Sequence, residues 1–176
     1  MSMRSPRHLP LIGLALGCAA LVASVAVDPR PLLVWNATAS APVGLYRVSP
    51  LDATPPRNRD LVLIRLSPEL RGLYAERGYI PADVPLLKRI AATGGQKVCE
   101  QAGVLSIDGR RVATAMSTDT TGRQLTAWSG CRRLQAYEVF ALMPDVPASL
   151  DGRYFGPTPI SSIIGRAQPL WTLGTR

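Results

Sequence analysis

From Leu9 to Val27 the chain runs 19 residues without a charge, interrupted only by Pro10 and Ser24. As a helix at ~1.5 Å per residue this run reaches about 28 Å, close to the ~30 Å hydrocarbon core of a bilayer. Arg4 and Arg7 precede it, so the positive-inside rule keeps residues 1–8 in the cytoplasm and carries residues 28–176 across. A cleaved signal peptide ending at Ser24-Val25-Ala26 is the alternative, but the run is longer than a typical signal core. A lipoprotein reading around Cys18 lacks the large aliphatic residue expected three positions before it. Residues 9–27 are therefore read as a retained transmembrane anchor, and about 150 residues remain for one folded domain.

In that domain the apolar runs are short and rich in Val, Ile and Leu, and the chain's 16 Pro and 15 Gly break it often. The pattern predicts strands near Leu45–Val48, Leu61–Leu66, Leu86–Ala92, Lys97–Cys99, Val104–Ile107 and Val139–Met143, with Ile160–Arg166 returning to the sheet. Asp108-Gly109 between two alternating runs is a hairpin turn. Ser67, with Pro68 and Glu69 behind it, caps a short helix reaching about Arg77. The expected fold is mainly β, an antiparallel sheet with one or two short helices, after one N-terminal transmembrane helix.

Charge and residue types narrow the chemistry. The formal net charge is +8, yet only Lys88 and Lys97 are lysines among 20 basic residues, and the arginines form no stripe with aromatics between them. Attraction to anionic lipid headgroups explains that charge better than nucleic-acid binding. The one histidine, His8, precedes the apolar run, which removes a Ser-His-Asp triad and a zinc site from the exported part. Cys99 and Cys131 both lie there; in an oxidising compartment such a pair most often forms a disulfide, with two free buried thiols as the alternative.

Arginine stays protonated, so an amine base in a hydrolase built from what is left must be Lys88 or Lys97; a pair of aspartates is the alternative, but no Asp-Thr-Gly-like segment is present. Lys88 sits in Pro85-Leu86-Leu87-Lys88-Arg89-Ile90, where alternation places it on one strand face with Leu86 and Ile90. Desolvation there lowers an amine's pKa; a drop from about 10.4 to about 8 costs roughly 3 kcal/mol. Lys97 follows Gly94-Gly95 and reads as a solvated turn residue. The candidate nucleophile is Ser40, among small residues in Asn36-Ala37-Thr38-Ala39-Ser40-Ala41-Pro42-Val43-Gly44-Leu45-Tyr46, close behind the apolar run.

These segments resemble the signal peptidase superfamily of Ser/Lys proteases, most closely its conjugative-transfer, TraF-type branch. The Ser40 segment is similar to that branch's nucleophile loop, and Pro85–Ile90 with Gly94-Gly95 to the base-bearing strand. Ser149-Leu150-Asp151-Gly152-Arg153-Tyr154-Phe155-Gly156 resembles the family's Ser-x-Asp-x-Arg-Tyr-x-Gly box. Met143-Pro144-Asp145 stands where general leader peptidases carry Gly-Asp-Asn, which favours the specialised branch.

The resemblance implies Ser40 as nucleophile, Lys88 as base, and Thr38 with the Ser40 N–H as oxyanion hole. It implies that Ser149 orients Lys88 and that Asp151 pairs with Arg153 to brace the site. It further implies no metal or organic cofactor, a periplasmic domain held at the bacterial inner membrane, and a precursor substrate such as a conjugative pilin precursor, cut and in some cases cyclised. Contact with the mating-pair apparatus belongs to the same picture. The alternatives are a general leader peptidase and a non-catalytic assembly factor of a mating or secretion apparatus.

Overall fold

In the computed structural model of the chain, residues 9–26, 33–52 and 54–173 are described. Two compact units divide at residues 30 and 31. In the first, helix α1 spans Leu9–Ala26 and carries no acidic residue in its first turn and no basic one in its last. Ile12, Leu14, Leu16 and Val22 on it are exposed. Among the described residues no helix is long and apolar enough to cross a membrane. Residues 1–8 and Val27, which flank or complete the expected anchor, lie outside the described residues.

The second unit is built on two antiparallel sheets. The larger takes in β1 (Leu33–Asn36), β2 (Gly44–Ser49), β3 (Leu61–Ile64), β4 (Leu86–Thr93), and, later in the chain, Glu138–Leu142, Thr158–Pro159 and Ile163–Thr172. The smaller contains β5 (Lys97–Gln101), β6 (Val104–Ile107), β7 (Arg110–Thr114) and β8 (Gly130–Arg133). With the late strands numbered β9, β10 and β11, the large sheet runs β1-β2-β11-β3-β4-β9-β10. The last strand is thus inserted between β2 and β3, pairing Ala167 with Val48 on one side and Arg166 with Val62 on the other.

The hydrophobic pattern explains why these segments pair. Val62, Leu63 and Ile64 of β3 and Val139 to Leu142 of β9 are fully buried, so both strands read as continuous apolar runs. The Asp108-Gly109 turn has φ of 48° and 80°, the positive pair that a two-residue hairpin needs. Helix α2 spans Pro68–Glu76, with the Ser67 side chain accepting from Leu70 N and proline in the first turn, as the sequence suggests. Tyr74 buries its face beside Leu66 and Leu86. A four-residue helix, α3 (Gly152–Phe155), starts at the Asp151 cap.

Several boundaries depart from the sequence reading. Residues 160–162 form a 3-10 turn, and β11 then extends to Thr172, beyond the expected Arg166. Strand β5 starts at Lys97, where the expected Lys97–Cys99 strand begins, but runs on to Gln101, and Lys97 is exposed. Strand β8 has no apolar alternation, and its four residues are all exposed. It is held to β5 by register: Cys99 lies opposite Cys131, with Cα atoms 4.0 Å apart, and the two form the disulfide.

Candidate functional site

The loop from β1 to β2 is organised by one buried side chain. Asn36 donates from Nδ2 to the carbonyls of Thr38 at 2.9 Å, Ala41 at 3.0 Å and Pro42 at 3.1 Å. Its Oδ1 accepts from Thr38 N at 3.3 Å and Thr38 Oγ1 at 2.9 Å. The Tyr46 hydroxyl donates to Pro42 O at 2.6 Å from the far end of the loop. Burial pushes that phenol above its ordinary pKa, against the pull of Arg89, so it stays a donor. Gly44 closes the loop where a Cβ would lie 2.2 Å from Trp171 O, so no larger residue fits against β11.

This bracing presents Ser40 half-buried, its Oγ 3.0 Å from Thr38 Oγ1. A hydroxyl has one hydrogen. With the Thr38 hydrogen committed to Asn36, Ser40 is the donor in the Thr38 contact. The Ser40 hydrogen is therefore directed at Thr38 Oγ1.

Lys88 lies on β4 opposite Val62 and is 2% exposed. Burial pushes its amine down to about 8; the Asp151 carboxylate pulls the other way and the Arg153 guanidinium adds to the lowering. Its Nζ donates to Ser149 Oγ at 3.0 Å, a buried contact.

Ser149 is in turn held by the segment after β9. Arg153, 1% exposed, grips Asp151 through Nε to Oδ1 at 2.9 Å and Nη2 to Oδ2 at 2.8 Å. The same guanidinium donates to the carbonyls of Met143 and Val146 at 2.8 Å and of Pro147 at 2.9 Å. Asp151 also accepts from Met143 N at 3.0 Å. Two buried ions with their hydrogen-bonding groups satisfied this way fold residues 143–149 into a fixed bend, and Ser149 N closes it on Val146 O at 3.0 Å.

Ser40, Thr38, Lys88 and Ser149 all line one cleft of about 340 Å³. Asp151 and Arg153 stand behind it. The cleft's other walls come from Tyr79 and Ile80, which follow α2, and from Met116 and Leu125 in the loop after β7. The segment Ser67 to Pro81 thus contributes to the groove. Two residues that sequence reasoning passed over carry much of the order: Asn36, present in the loop motif without a role, and Tyr46. An asparagine two residues before a threonine is a turn-forming signal that pointed at the first; the second stands in the same motif, also without a role.

Residues 6–171 match the family described as signal peptidase, peptidase S26. The conjugal transfer protein TraF of Agrobacterium tumefaciens is 35% identical over 173 residues, covering 92% of this chain and 93% of that protein. The probable conjugal transfer protein TraF of Sinorhizobium fredii is 34% identical, covering 98% and 95%. The Agrobacterium fabrum protein of the same name is 34% identical, covering 78% and 81%. Overlap with a solved signal peptidase I from Enterococcus faecalis is loose, with a TM-score of 0.39 and 19% identity over 64% of this chain and 97% of that one. By the extent of the family match and the near full-length relatives, the chain belongs to the signal peptidases of family S26.

Proposed function

We propose that the chain is a membrane-anchored serine endopeptidase that processes an exported precursor, a conjugative pilin precursor in plasmid transfer, with Ser40 as nucleophile and Lys88 as general base. The observation that carries this reading is a lysine 2% exposed, lowered to about 8 and sharing a cleft with a braced serine. An amine that titrates near the working pH is a competent proton acceptor. The conjugal-transfer names of the relatives support the choice of substrate class. The uncharged run at 9–27, with arginines before it, supports an anchor in the inner membrane and a periplasmic catalytic domain.

In this mechanism the Ser40 hydroxyl turns its hydrogen from Thr38 to Lys88, and Ser40 Oγ attacks the scissile carbonyl as neutral Lys88 takes that proton. The oxyanion is met by the Ser40 N–H and by Thr38, whose hydroxyl turns its hydrogen from Asn36 toward the developing charge. Lys88 then protonates the leaving amine, and water or the substrate's own amine resolves the acyl-enzyme. Ser149 keeps the amine aimed, and Asp151 with Arg153 keeps Ser149 in place. No metal or organic cofactor enters.

A general leader peptidase would share this chemistry and cut unrelated secretory precursors. A non-catalytic assembly factor would have no use for a lysine whose burial costs roughly 3 kcal/mol. The deciding test is Lys88→Ala in membranes with a co-expressed pilin precursor: loss of processing at normal protein levels supports the dyad, and undiminished processing removes it.

A further inference from the structure

Most of the hydrogen-bond donors that line the cleft already have acceptors. Thr38 donates to Asn36, and Ser40 to Thr38. The Tyr79 hydroxyl donates at 2.7 Å to Oδ2 of Asp119, in the loop 116–125 between β7 and β8. Lys88 donates to Ser149, which is buried against it. Thr120 is exposed to water. Tyr154 is different. Its hydroxyl oxygen accepts from Met116 N at 3.2 Å, and its hydrogen meets no acceptor among the described residues.

The phenol is held from both ends. At its backbone, Tyr154 N donates to Asp151 O at 2.9 Å, and the preceding Arg153 carbonyl accepts from Trp128 N at 2.9 Å. Gly156, where a Cβ would lie 2.6 Å from Trp128 Cδ1, lets that indole pack close against the end of α3. At the far end the Met116 N–H occupies one side of the phenol oxygen, so the hydroxyl hydrogen is turned away from Met116. Tyr154 and Met116 both line the cleft, and the lining side chains Ile80, Leu86, Leu125 and Leu150 are aliphatic. A peptide that leaves water for such walls brings a carbonyl with every residue, and a carbonyl buried without a donor is destabilising. A phenol already fixed in place supplies that donor with little further ordering.

We propose that Tyr154 is a substrate-binding residue, whose hydroxyl donates a hydrogen bond to one backbone carbonyl of the peptide in the cleft. This rests on the peptidase reading. The contact reads the peptide backbone, so it helps to set the position of the chain relative to Ser40 whatever side chains the peptide carries.

The test measures binding to the full chain in detergent on a Ser40→Ala background, where no cleavage intervenes. The probe is a blocked octapeptide of alanine and glycine, which has no polar side chain. With it goes a set in which one backbone carbonyl oxygen at a time is replaced by sulfur, a poorer acceptor. Tyr154→Phe weakens binding of the all-oxygen peptide by about fivefold or more. At one position the sulfur peptide loses a similar factor on the Ser40→Ala chain and nothing further when Tyr154→Phe is added; at the other positions the two losses multiply. Losses that multiply at every position show that the variant acts only by freeing Met116 N, and they overturn the proposal. Unchanged binding by Tyr154→Phe, or no binding of the probe to the Ser40→Ala chain, overturns it too. Lys88→Ala judges the peptidase reading separately. If that variant still cleaves while the coupling to Tyr154 is present, the contact stands and the Ser/Lys dyad falls; lost processing without coupling keeps the dyad and removes the contact.

Discussion

The Lys88 amine and the Ser149 hydroxyl sit 3.0 Å apart, and each residue is 2% exposed. The contact joins residues 61 positions apart in sequence. It spares a buried amine from having no partner while supplying no negative charge that would hold its proton. A carboxylate at the same place would raise the amine's pKa; a serine leaves burial in control.

Two pH effects follow. Hydrolysis should rise with pH as Lys88 loses its proton, with a midpoint near 8. Stability moves in the same sense, because the amine titrates near 10.5 ordinarily and near 8 in the fold, so the unfolded chain binds more protons between those values. The penalty is full below pH 8 and fades toward 10.5. Lys88→Met should therefore be inactive yet more stable than wild type by up to about 3 kcal/mol at pH 7. Urea titrations should show that advantage shrinking as the pH is raised toward 10.5.

Asn36→Ala should reduce activity at least about tenfold while leaving the far-ultraviolet circular dichroism unchanged, since one side chain sets the path of residues 38–42. Asn36→Asp keeps the acceptor for Thr38 but loses the three donated bonds, and should recover little. Peptide hydrolysis by the purified variants decides between this and a loop that orders itself.

Removing Arg153 leaves Asp151 buried without its ion partner and frees the carbonyls of Met143, Val146 and Pro147. Arg153→Ala should cost about 3 to 5 kcal/mol. Arg153→Lys cannot reproduce the fork and should lose most of that too. Chemical unfolding followed by tryptophan fluorescence measures both.

The disulfide spans a sequence separation of 32, and Cys99→Ser or Cys131→Ser should lower stability by about 3 to 4 kcal/mol. Because β8 is entirely exposed and follows the loop 116–125, its fraying should appear first as faster amide exchange in that loop. Exchange rates equal to wild type there would show that the bonds from residues 119–124 to residues 77–79 suffice.

What was readable in the sequence was what local chemistry dictates. Lys88 stood out because an amine between Leu86 and Ile90 has few reasons to be there, and the Asp108-Gly109 turn and Ser67 cap follow from backbone preferences. Strand β8 was unreadable because Gly130 to Arg133 has no face to bury; its partner across the sheet defines it. The extension of β11 through Pro169, Leu170 and Trp171 was hidden for the same reason, since those residues are exposed and their pairing is with residues 44–46. The hydrogen bond from the Tyr79 hydroxyl to Asp119 joins residues 40 positions apart, and no local pattern announces such a bond.

The placement of β11 between β2 and β3 has a bearing on when the site can exist. The loop with Ser40 enters the sheet through β2, and Lys88 enters through β4 by way of β3. Until residues 163–172 arrive, those two halves share no edge, and Gly44 has no backbone to rest against. A chain lacking them carries Ser40 and Lys88 on separate strand pairs. On the proposed dyad, the strand that comes last in the chain is the one that joins the two halves of the site.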